Sequence, residues 1–379
     1  MRSYSIICIV LILSSIAQSS CNDITNSKKK EEVVGVKTQL KYAKGFEIIT
    51  YKNYKLLRIK APYQNATETF EYVLTTNKTK TNSELNTIQI PVKKLVVTST
   101  THIPMLELLE SESKLIGYPN TDYISSEKTR KLIESGTITN LGNEEQINTE
   151  LLINLHPEVV IGFSLSSNNK MFENIQQLGI PVLLNGDWLE ESPLGRAEWI
   201  KFFGVLFDKE KEADRIFNKI EKNYAEAASL AKKATTKPTV ISGGLFKDIW
   251  NLPAGDSFEA QFLNDAQTNY LWKNSKGKGS LTLNIENVFE KGQQAEIWIS
   301  PSYFTTLSEM EQSNAIYKEF KAFKIKEVYS FVKKKGATGG VIYFELAPTR
   351  PDLVLKDLIK IAHPELLKNY ELTFYERLK

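Results

Sequence analysis

The stretch VVIGFSLSSNNKMFENIQQLGIPVLL, residues 159–184, places a strand, a helix and a second strand in close succession. Val159–Gly162 and Val182–Leu184 are short and almost wholly apolar, and residues 168–178 between them favour a helix. Apolar strands that alternate with helices are typical of a mostly parallel sheet covered on both faces. The stretch therefore predicts an α/β fold.

The same alternation continues on both sides of this stretch. Before it, strands are expected at 95–97 and 115–117, with helices at 104–109, 127–135 and 150–155. After it, strands are expected at 239–242, 296–299 and 328–332, with helices at 258–265, 286–291, 315–320 and 353–363. Residues 193–233 instead keep three-to-four apolar spacing without a strand, with a break near Gly204 and Asp208. We expect two α/β lobes joined by one long helix.

Residues 33–94 do not show this alternation of strands and helices. Short runs rich in β-branched and aromatic residues, separated by Asn, Lys, Pro and Thr, predict a small antiparallel β-rich extension. The expected organisation is a signal peptide at 1–20, a polar tether at 21–32, the extension at 33–94, an N-lobe at 95–192, the inter-lobe helix at 193–236 and a C-lobe at 237–379.

The N-terminus has the order of a secretory signal. Arg2 precedes an apolar run at residues 6–13, and small polar residues lead to Cys21. A cysteine at this place resembles the lipobox of bacterial lipoproteins, although Gln18 stands where an aliphatic residue is usual. We expect Cys21 to carry lipid; an ordinary signal peptide with a chance cysteine is the alternative. No later run is apolar for 18 residues, so lipid would be the anchor.

Composition excludes several classes of protein. The 379 residues contain 48 Lys plus Arg and 45 Asp plus Glu, and the net charge of +3 argues against nucleic acid as the main partner. Three His and two Cys exclude a disulfide framework, a Cys-rich zinc site and a cysteine-ligated iron–sulfur cluster. Phosphate-loop, zincin and nucleophile-elbow signatures are missing or incomplete. We expect no enzyme, no metal site in the protein and no cofactor.

Three stretches resemble the bacterial substrate-binding proteins of ABC importers for iron–siderophore complexes, haem and vitamin B12. They are VVTSTTHIPMLELL at 96–109, ELLINLHPEVVIG at 150–162 and RPDLVLKDLIKIAHPEL at 350–366. In the second, His156 and Glu158 replace the usual Lys and Asp. NGDWLEESPLGRAEW at 185–199 is also similar to the lipoprotein branch, and the resemblance covers about residues 38–379.

The resemblance implies a periplasmic, lipid-anchored, monomeric protein that captures a ferric siderophore-type chelate between its lobes. It also implies that Glu150 and Glu286 form salt bridges with the ABC permease; their place near helix starts is alternatively explained by the helix dipole. Cobalamin or haem is the nearest alternative ligand. An enzyme or chelatase, and a surface lipoprotein that binds a protein or glycan through residues 33–94, are alternatives from other classes.

Ligands of α/β lobes bind beyond the carboxyl ends of the strands. This rule selects polar and aromatic residues for the cleft, while Arg196 and Arg350 are candidate counter-ions for an anionic chelate. For the aromatic residues the alternative is core packing, and for Arg196 it is pairing with Glu190 or Glu191. The expected ligand-binding residues are Thr100, His102, Tyr118, Phe163, Ser164, Trp188, Glu190, Arg196, Phe246, Trp250, Tyr303, Phe344, Glu345 and Arg350.

Overall fold

The computed structural model describes residues 34–60, 62–76, 86–143, 146–166 and 169–379, and the strands of this part form four sheets. Residues 35–379 make one compact unit. The predicted signal peptide, the lipidation site Cys21 and the tether at 21–32 lie outside the described residues.

The strands are numbered here in chain order. Those of the extension are β1 (Val36–Lys37), β2 (Phe46–Thr50), β3 (Lys55–Ile59), β4 (Phe70–Thr75) and β5 (Asn86–Gln89). Those of the N-lobe are β6 (Leu95–Val97), β7 (Leu115–Tyr118), β8 (Thr139–Asn140), β9 (Val159–Gly162) and β10 (Val182–Leu184). Those of the C-lobe are β11 (Thr239–Ser242), β12 (Gly244–Phe246), β13 (Ile249–Pro253), β14 (Asn269–Tyr270), β15 (Ser280–Leu283), β16 (Ile297–Ile299), β17 (Val328–Ser330) and β18 (Glu376–Arg377).

The helices cover the sheets and join them. They are α1 (His102–Leu108), α2 (Glu127–Glu134), α3 (Thr149–Leu155), α4 (Lys170–Gln177), α5 (Pro193–Glu198), α6 (Ile200–Leu206), α7 (Glu210–Ala231), α8 (Phe258–Asp265), α9 (Ile285–Gly292), α10 (Leu307–Ser313), α11 (Lys321–Lys324), α12 (Ile342–Leu346) and α13 (Pro351–Ala362). Short 3₁₀ segments lie at Glu112–Lys114, Thr121–Tyr123, Asp187–Leu189 and Ala315–Glu319.

The N-lobe sheet is entirely parallel, in the order β10-β9-β6-β7-β8. Its central strands β6 and β9 are fully buried, as the apolar runs predict. The α/β class and the two-lobed architecture are confirmed. Because all five strands run the same way, their carboxyl ends meet at one edge, and the residues that follow them line that edge.

The C-lobe sheet has the order β14-β11-β16-β17-β18, with β18 antiparallel and the other pairs parallel. A second, antiparallel sheet of β12, β13 and β15 was not expected from the sequence. The predicted site residues Phe344 and Glu345 lie within α12, which begins at Ile342, and do not follow a strand. Val341 is extended there and makes an isolated bridge with Lys335, so the strand-like character ends one residue earlier.

The connecting segment consists of α5, α6 and α7 rather than one continuous helix. It is interrupted near the predicted place, where Asp208 has a left-handed φ of 57° and Lys209 N–H donates to Gly204 O at 2.8 Å. Gly204 allows close packing, since a Cβ there would lie 2.6 Å from Ala213 Cβ. The 22 residues of α7 span about 33 Å. α7 packs against α13 of the C-lobe and α6 of the N-lobe side.

The extension is built onto the N-lobe side of the molecule. Its strands run in the order β1 to β5, and the expectation of an antiparallel sheet is wrong in one pair, because β4 and β5 are parallel. Phe46 of β2 packs against Trp199 with ring centroids 4.6 Å apart and against Phe202 at 6.2 Å. The buried face of the extension therefore shares a core with α5 and α6.

Candidate functional site

Three neighbouring cavities lie along the edge where the carboxyl ends of both parallel sheets meet. The N-side cavity has a volume of about 230 Å³, the central cavity about 320 Å³ and the C-side cavity about 300 Å³. Thr100 and Phe344 border both the N-side and the central cavity. Glu259, Phe262 and Tyr343 border both the central and the C-side cavity. The cavities together form a cleft of the size that holds small-molecule ligands.

The N-lobe wall is made by the turn that links β6 to α1. Thr100 faces both cavities, and Thr101 Oγ1 donates to the buried Asp187 Oδ2 at 2.9 Å. The Ser99 hydroxyl lies 2.9 Å from that of Thr101. This network fixes the turn, and Thr100 and Thr101 both line the central cavity. Tyr118 at the end of β7 completes the N-side wall with Phe163, Tyr123 and Val341.

Arg196 of α5 lies in the wall of the central cavity. Its Nη2 donates to Trp188 O at 2.6 Å, and its guanidinium stacks on the Phe258 ring at 3.7 Å from the centroid. Burial lowers the pKa of Arg196, and the carboxylates of Asp187 and Glu259 oppose that shift. The expected alternative partner, Glu190, is contacted only through its carbonyl oxygen, at 3.5 Å from Nε.

Glu259 is the acidic residue of the cleft. It sits in the first turn of α8, which Ser257 caps by accepting the Ala260 N–H, and its side chain is exposed to the cavities. Protein nevertheless surrounds the carboxylate closely, and this desolvation raises the pKa of Glu259 while Arg196 works against the shift. The pKa shift shows that the surroundings do not fully stabilise the ionised form.

Tyrosines line the C-side of the cleft. Tyr343 stacks on Phe331 with centroids 4.2 Å apart, and Tyr375 lies 5.9 Å from Tyr343. Burial raises the pKa of both tyrosines, so their hydroxyls stay neutral at physiological pH. Aromatic faces with neutral hydroxyls suit an organic ligand that needs apolar contact area and a few hydrogen bonds.

The two lobes also touch directly beside the N-side cavity. Glu345 of α12 accepts the backbone N–H groups of Ser125 at 2.6 Å and Ser126 at 3.0 Å. Gly336 and Gly340 permit the approach, since a Cβ at Gly340 would lie 2.3 Å from Tyr123 O. Burial raises the pKa of Glu345 to about 7.

Five of the fourteen predicted ligand-binding residues line these cavities: Thr100, Tyr118, Phe163, Arg196 and Phe344. Four others are exposed or half-buried outside the three cavities: Trp188, Phe246, Tyr303 and Arg350. Arg350 is neutralised by a bidentate pair with Asp352, with both distances 2.9 Å. It is therefore not the free counter-ion that we expected.

The remaining five are buried in structural contacts, and their assignment to the ligand is corrected here: His102, Ser164, Glu190, Trp250 and Glu345. The ring of His102 packs against Phe203, and Ser164 Oγ donates to Ser166 O at 2.7 Å. Trp250 stacks on Trp298 and donates its Nε1–H to Ser242 O at 3.0 Å.

Glu190 holds the extension instead of a ligand. Its carboxylate accepts the backbone N–H of Lys44 at 2.9 Å and of Gly45 at 2.8 Å, together with Trp199 Nε1–H at 2.9 Å. Desolvation raises the pKa of this buried group. The strand-end rule selected Glu190 because it follows β10, but its side chain is buried and bonds to the extension.

Sequence reasoning missed the cleft residues that helices supply. Phe258, Glu259 and Phe262 come from α8, and Tyr343 comes from α12. The rule examined only residues that follow strands. The Ser257 N-cap before Phe258 and Glu259 marks the helix start, but nothing in that signal says that the start faces the cleft.

Glu150 and Glu286 occupy matching places in the two lobes. Each is the second residue of a helix capped by an asparagine: Asn148 accepts the Leu151 N–H, and Asn284 accepts the Asn287 N–H. Both glutamates are exposed, and the described part of the chain gives neither an ion pair.

The strands that follow these helices start in the same way. Before β9, Glu158 accepts the Lys93 N–H and its own N–H donates to Lys94 O at 2.9 Å. Before β16, Glu296 accepts the Thr239 N–H at 2.8 Å and its own N–H donates to Thr239 O at 3.0 Å. The two lobes therefore share the asparagine-capped helix and the start of the strand that follows it, and Glu150 and Glu286 occupy corresponding places in this shared arrangement.

Two searches of the described residues bear on metals and membranes. No group of three or more His, Cys, Asp or Glu side chains there is placed to hold a metal ion. None of the helices within those residues combines the length and the apolar character that crossing a bilayer requires.

Two α/β lobes with a ligand-sized cleft at their strand ends, joined by helices, define a solute-binding protein. The chain belongs to the periplasmic binding protein family, whose model matches residues 95–334, more than half of its length. Members of this family are substrate-binding proteins.

The chain is also similar to individual proteins, in sequence or in fold. An uncharacterized lipoprotein of Methanocaldococcus jannaschii is 27% identical over 307 residues, which are 79% of this chain and 72% of the relative. A possible iron-binding, periplasmic solute-binding protein from Staphylococcus epidermidis has a TM-score of 0.56 at 17% identity, covering 72% of this chain and 99% of that one. The periplasmic haem-binding protein HutB of Vibrio cholerae has a TM-score of 0.53 at 15% identity, covering 69% and 99%.

Proposed function

We propose that this protein is the monomeric substrate-binding component of an ABC importer, anchored to a cell membrane in the periplasm by lipid on Cys21. It captures a ferric siderophore-type chelate in the inter-lobe cleft and delivers it to the permease. The observation that carries the proposal is the line of three cavities, whose walls combine aromatic faces with hydroxyl groups from both lobes.

The lining favours contact with the organic shell of a chelate. Phe163, Phe258 and Phe344 offer apolar area, while Thr100 and Tyr343 offer hydroxyls. No group of three or more His, Cys, Asp or Glu among the described residues is placed to hold a metal ion, and we propose that the iron stays within its chelator. The similarity to an iron-binding solute-binding protein supports the same ligand class.

Haem or cobalamin in the same cleft is the second candidate. Tyr118 and Tyr123 line the N-side cavity, and Tyr343 and Tyr375 line the C-side cavity. Tyrosine is one of the side chains that ligate haem iron. The similarity to a haem-binding relative favours this alternative.

Ligand titration of the protein without its first 21 residues tests the binding proposal. Tryptophan fluorescence would be followed while a ferric trihydroxamate, a ferric triscatecholate, haem or cobalamin is added. We expect a saturable response to at least one ferric chelate below micromolar concentration. A micromolar or weaker response to all four probes would overturn the proposal, and a response to haem or cobalamin alone would select the second candidate.

Permease docking is tested separately. We propose that Glu150 and Glu286 meet arginines of the permease, since matched exposed carboxylates can steer and align a cationic partner. The double variant Glu150→Ala, Glu286→Ala should lose transport of the bound probe and keep its affinity. The control is Glu173→Ala with Glu290→Ala, which removes one exposed glutamate per lobe at other places on α4 and α9. Equal transport by the two double variants would refute docking through Glu150 and Glu286.

A further inference from the structure

The charge of the cleft is carried by two residues. Among the residues that line the three cavities, Arg196 and Glu259 are the ionisable ones apart from the tyrosines. The tyrosine hydroxyls are neutral, since burial raises the pKa of Tyr343 and Tyr375. The charge that a ligand meets in the cleft therefore depends on the contacts that Arg196 and Glu259 already make within the protein.

Arg196 is largely engaged by the protein. Its guanidinium donates to the carbonyl oxygen of Trp188 and lies over the ring of Phe258. The buried carboxylate of Asp187 acts on it electrostatically and comes first among the groups that favour its charge. Asp187 is 2% exposed and faces protein rather than ligand. The buried carboxylate of Asp187 thus stabilises the positive charge of Arg196 from the protein side of the cavity wall.

Glu259 is left without a close partner. In the part of the chain that the structure describes, its carboxylate makes no hydrogen bond, and no cation lies within 4.0 Å of it. The side chain is nevertheless exposed to both the central and the C-side cavity. Its carboxylate is therefore available to a ligand in the cleft.

The position of Glu259 in the first turn of α8 offers a purely structural explanation, because helix starts favour acidic residues. That interaction would lower the pKa of the carboxyl group. The pKa is instead raised, because desolvation by the surrounding protein outweighs the attraction of Arg196. Stabilisation of α8 alone does not account for a carboxylate that is enclosed in this way.

We infer that Glu259 selects ligands that bring a cationic hydrogen-bond donor, such as a primary ammonium group, to the junction of the central and C-side cavities. The inference rests on the proposed function and deepens it by naming a class of chelate. A bound ligand displaces the water around Glu259, so an ionised carboxylate without a new partner becomes costly. A charge-assisted hydrogen bond from an ammonium group removes that cost.

The inference reverses the expectation that the cleft is built for an anion. Arg350 is paired with Asp352, and the guanidinium of Arg196 is already held by Trp188 O and the Phe258 ring, with Asp187 acting on it from the protein side. A chelate with several negative charges would meet Glu259 as a like charge. A neutral ferric hydroxamate core with a pendant amine fits the charge distribution better.

A matched pair of probes tests the inference. One is a linear ferric trihydroxamate that ends in a primary ammonium, and the other is the same chelate with that amine acetylated, which removes the charge and keeps the metal shell. We expect the wild-type protein to bind the ammonium form about tenfold more tightly or better, as a charge-assisted hydrogen bond would give. Glu259→Gln should bind the two forms within about threefold of each other, and Glu290→Gln, an exposed position on α9, should keep the wild-type preference.

The outcomes separate the two proposals. If neither chelate binds the wild-type protein and no other probe does, the proposed function itself fails. If both chelates bind equally to wild type and to Glu259→Gln, the function stands and the role of Glu259 is refuted. A pH series gives a second readout: the wild-type preference for the ammonium form should disappear as the pH falls through the raised pKa of Glu259, and the Gln variant should show no such change.

Discussion

At the scale of single residues, two buried glutamates fasten the N-terminal extension to α5. Glu198 is fully buried and accepts three consecutive backbone N–H groups, from Lys41, Tyr42 and Ala43, at 2.7–3.0 Å. Lys201 approaches the same carboxylate at 3.0 Å. Glu190 accepts the next two backbone N–H groups. The extension is therefore held by main-chain donors as well as by apolar packing.

Replacement of Glu198 by Ala should lower the free energy of unfolding by about 3 kcal/mol or more, because it leaves buried N–H groups without their acceptor and removes one of the two carboxylates that pair with Lys201. Urea denaturation followed by circular dichroism measures the change. The control is Glu226→Ala, which removes an exposed pair with Lys222 and should cost about 0.5 kcal/mol or less. Similar midpoints for the two variants would contradict the anchoring role.

The sequence predicted which residues line a cavity where the end of a strand alone places them. Thr100, Tyr118 and Phe163 follow or end parallel strands and line the N-side cavity as expected. The strand-end rule also selects Trp250 and Glu190, yet both side chains are buried in the core. Side-chain direction depends on turns that the strand pattern does not describe. Glu259 was not predicted as a cleft residue, because the start of a helix and not the end of a strand places it there.

At the scale of elements, the alternating apolar runs predicted the parallel sheets because such strands are buried on both faces. The sheet of β12, β13 and β15 carries no comparable run, and eight of its twelve residues are exposed or partly exposed, so it was not predicted. α12 has five residues, too few for helical periodicity to be recognised. Short or half-exposed elements of this kind form part of the cleft wall.

The loop before α12 packs closely against the N-lobe at Tyr123 and Ser125. Replacement of Gly340 by Ala would put a Cβ 2.3 Å from Tyr123 O, so the junction must move apart. Because Gly340 and Tyr123 both line the N-side cavity, we expect the affinity for the bound chelate to fall roughly tenfold. Isothermal titration measures the change. Gly279→Ala is the matched control, since its Cβ would meet nothing within 4 Å, and an equal loss there would refute the steric argument.

At the scale of the whole molecule, the lobes are connected through α5–α7 and through the contact of Glu345 with Ser125 and Ser126. The rigid 22-residue α7 and this second contact favour small closure on ligand binding. Glu107, which accepts the hydroxyl groups of Ser126 and Thr129, places a second carboxylate near Glu345. The junction is thus sensitive to the proton on Glu345.

The pKa of Glu345 predicts how stability changes with pH. In the folded protein it is raised from 4.5 to about 7, so the folded state holds a proton that the unfolded state has lost. The free energy of unfolding should therefore fall as pH rises from about 4.5 to about 7, by up to about 1.4 kcal/mol per pH unit from this group. Denaturant unfolding at several pH values, compared between wild type and Glu345→Gln, isolates this contribution. Parallel pH profiles for the two proteins would rule it out.

The stacked indoles of Trp250 and Trp298 have a spectroscopic consequence. Their ring centroids are 5.2 Å apart and their planes are inclined by 23°, which is close enough for their electronic transitions to couple. The coupling gives the C-lobe core its own circular dichroism band in the ultraviolet. Trp188 is half-buried, and its carbonyl oxygen holds Arg196 at the central cavity. Melting of the C-lobe and filling of the cleft can thus be followed as two separate optical signals in the same unlabelled sample.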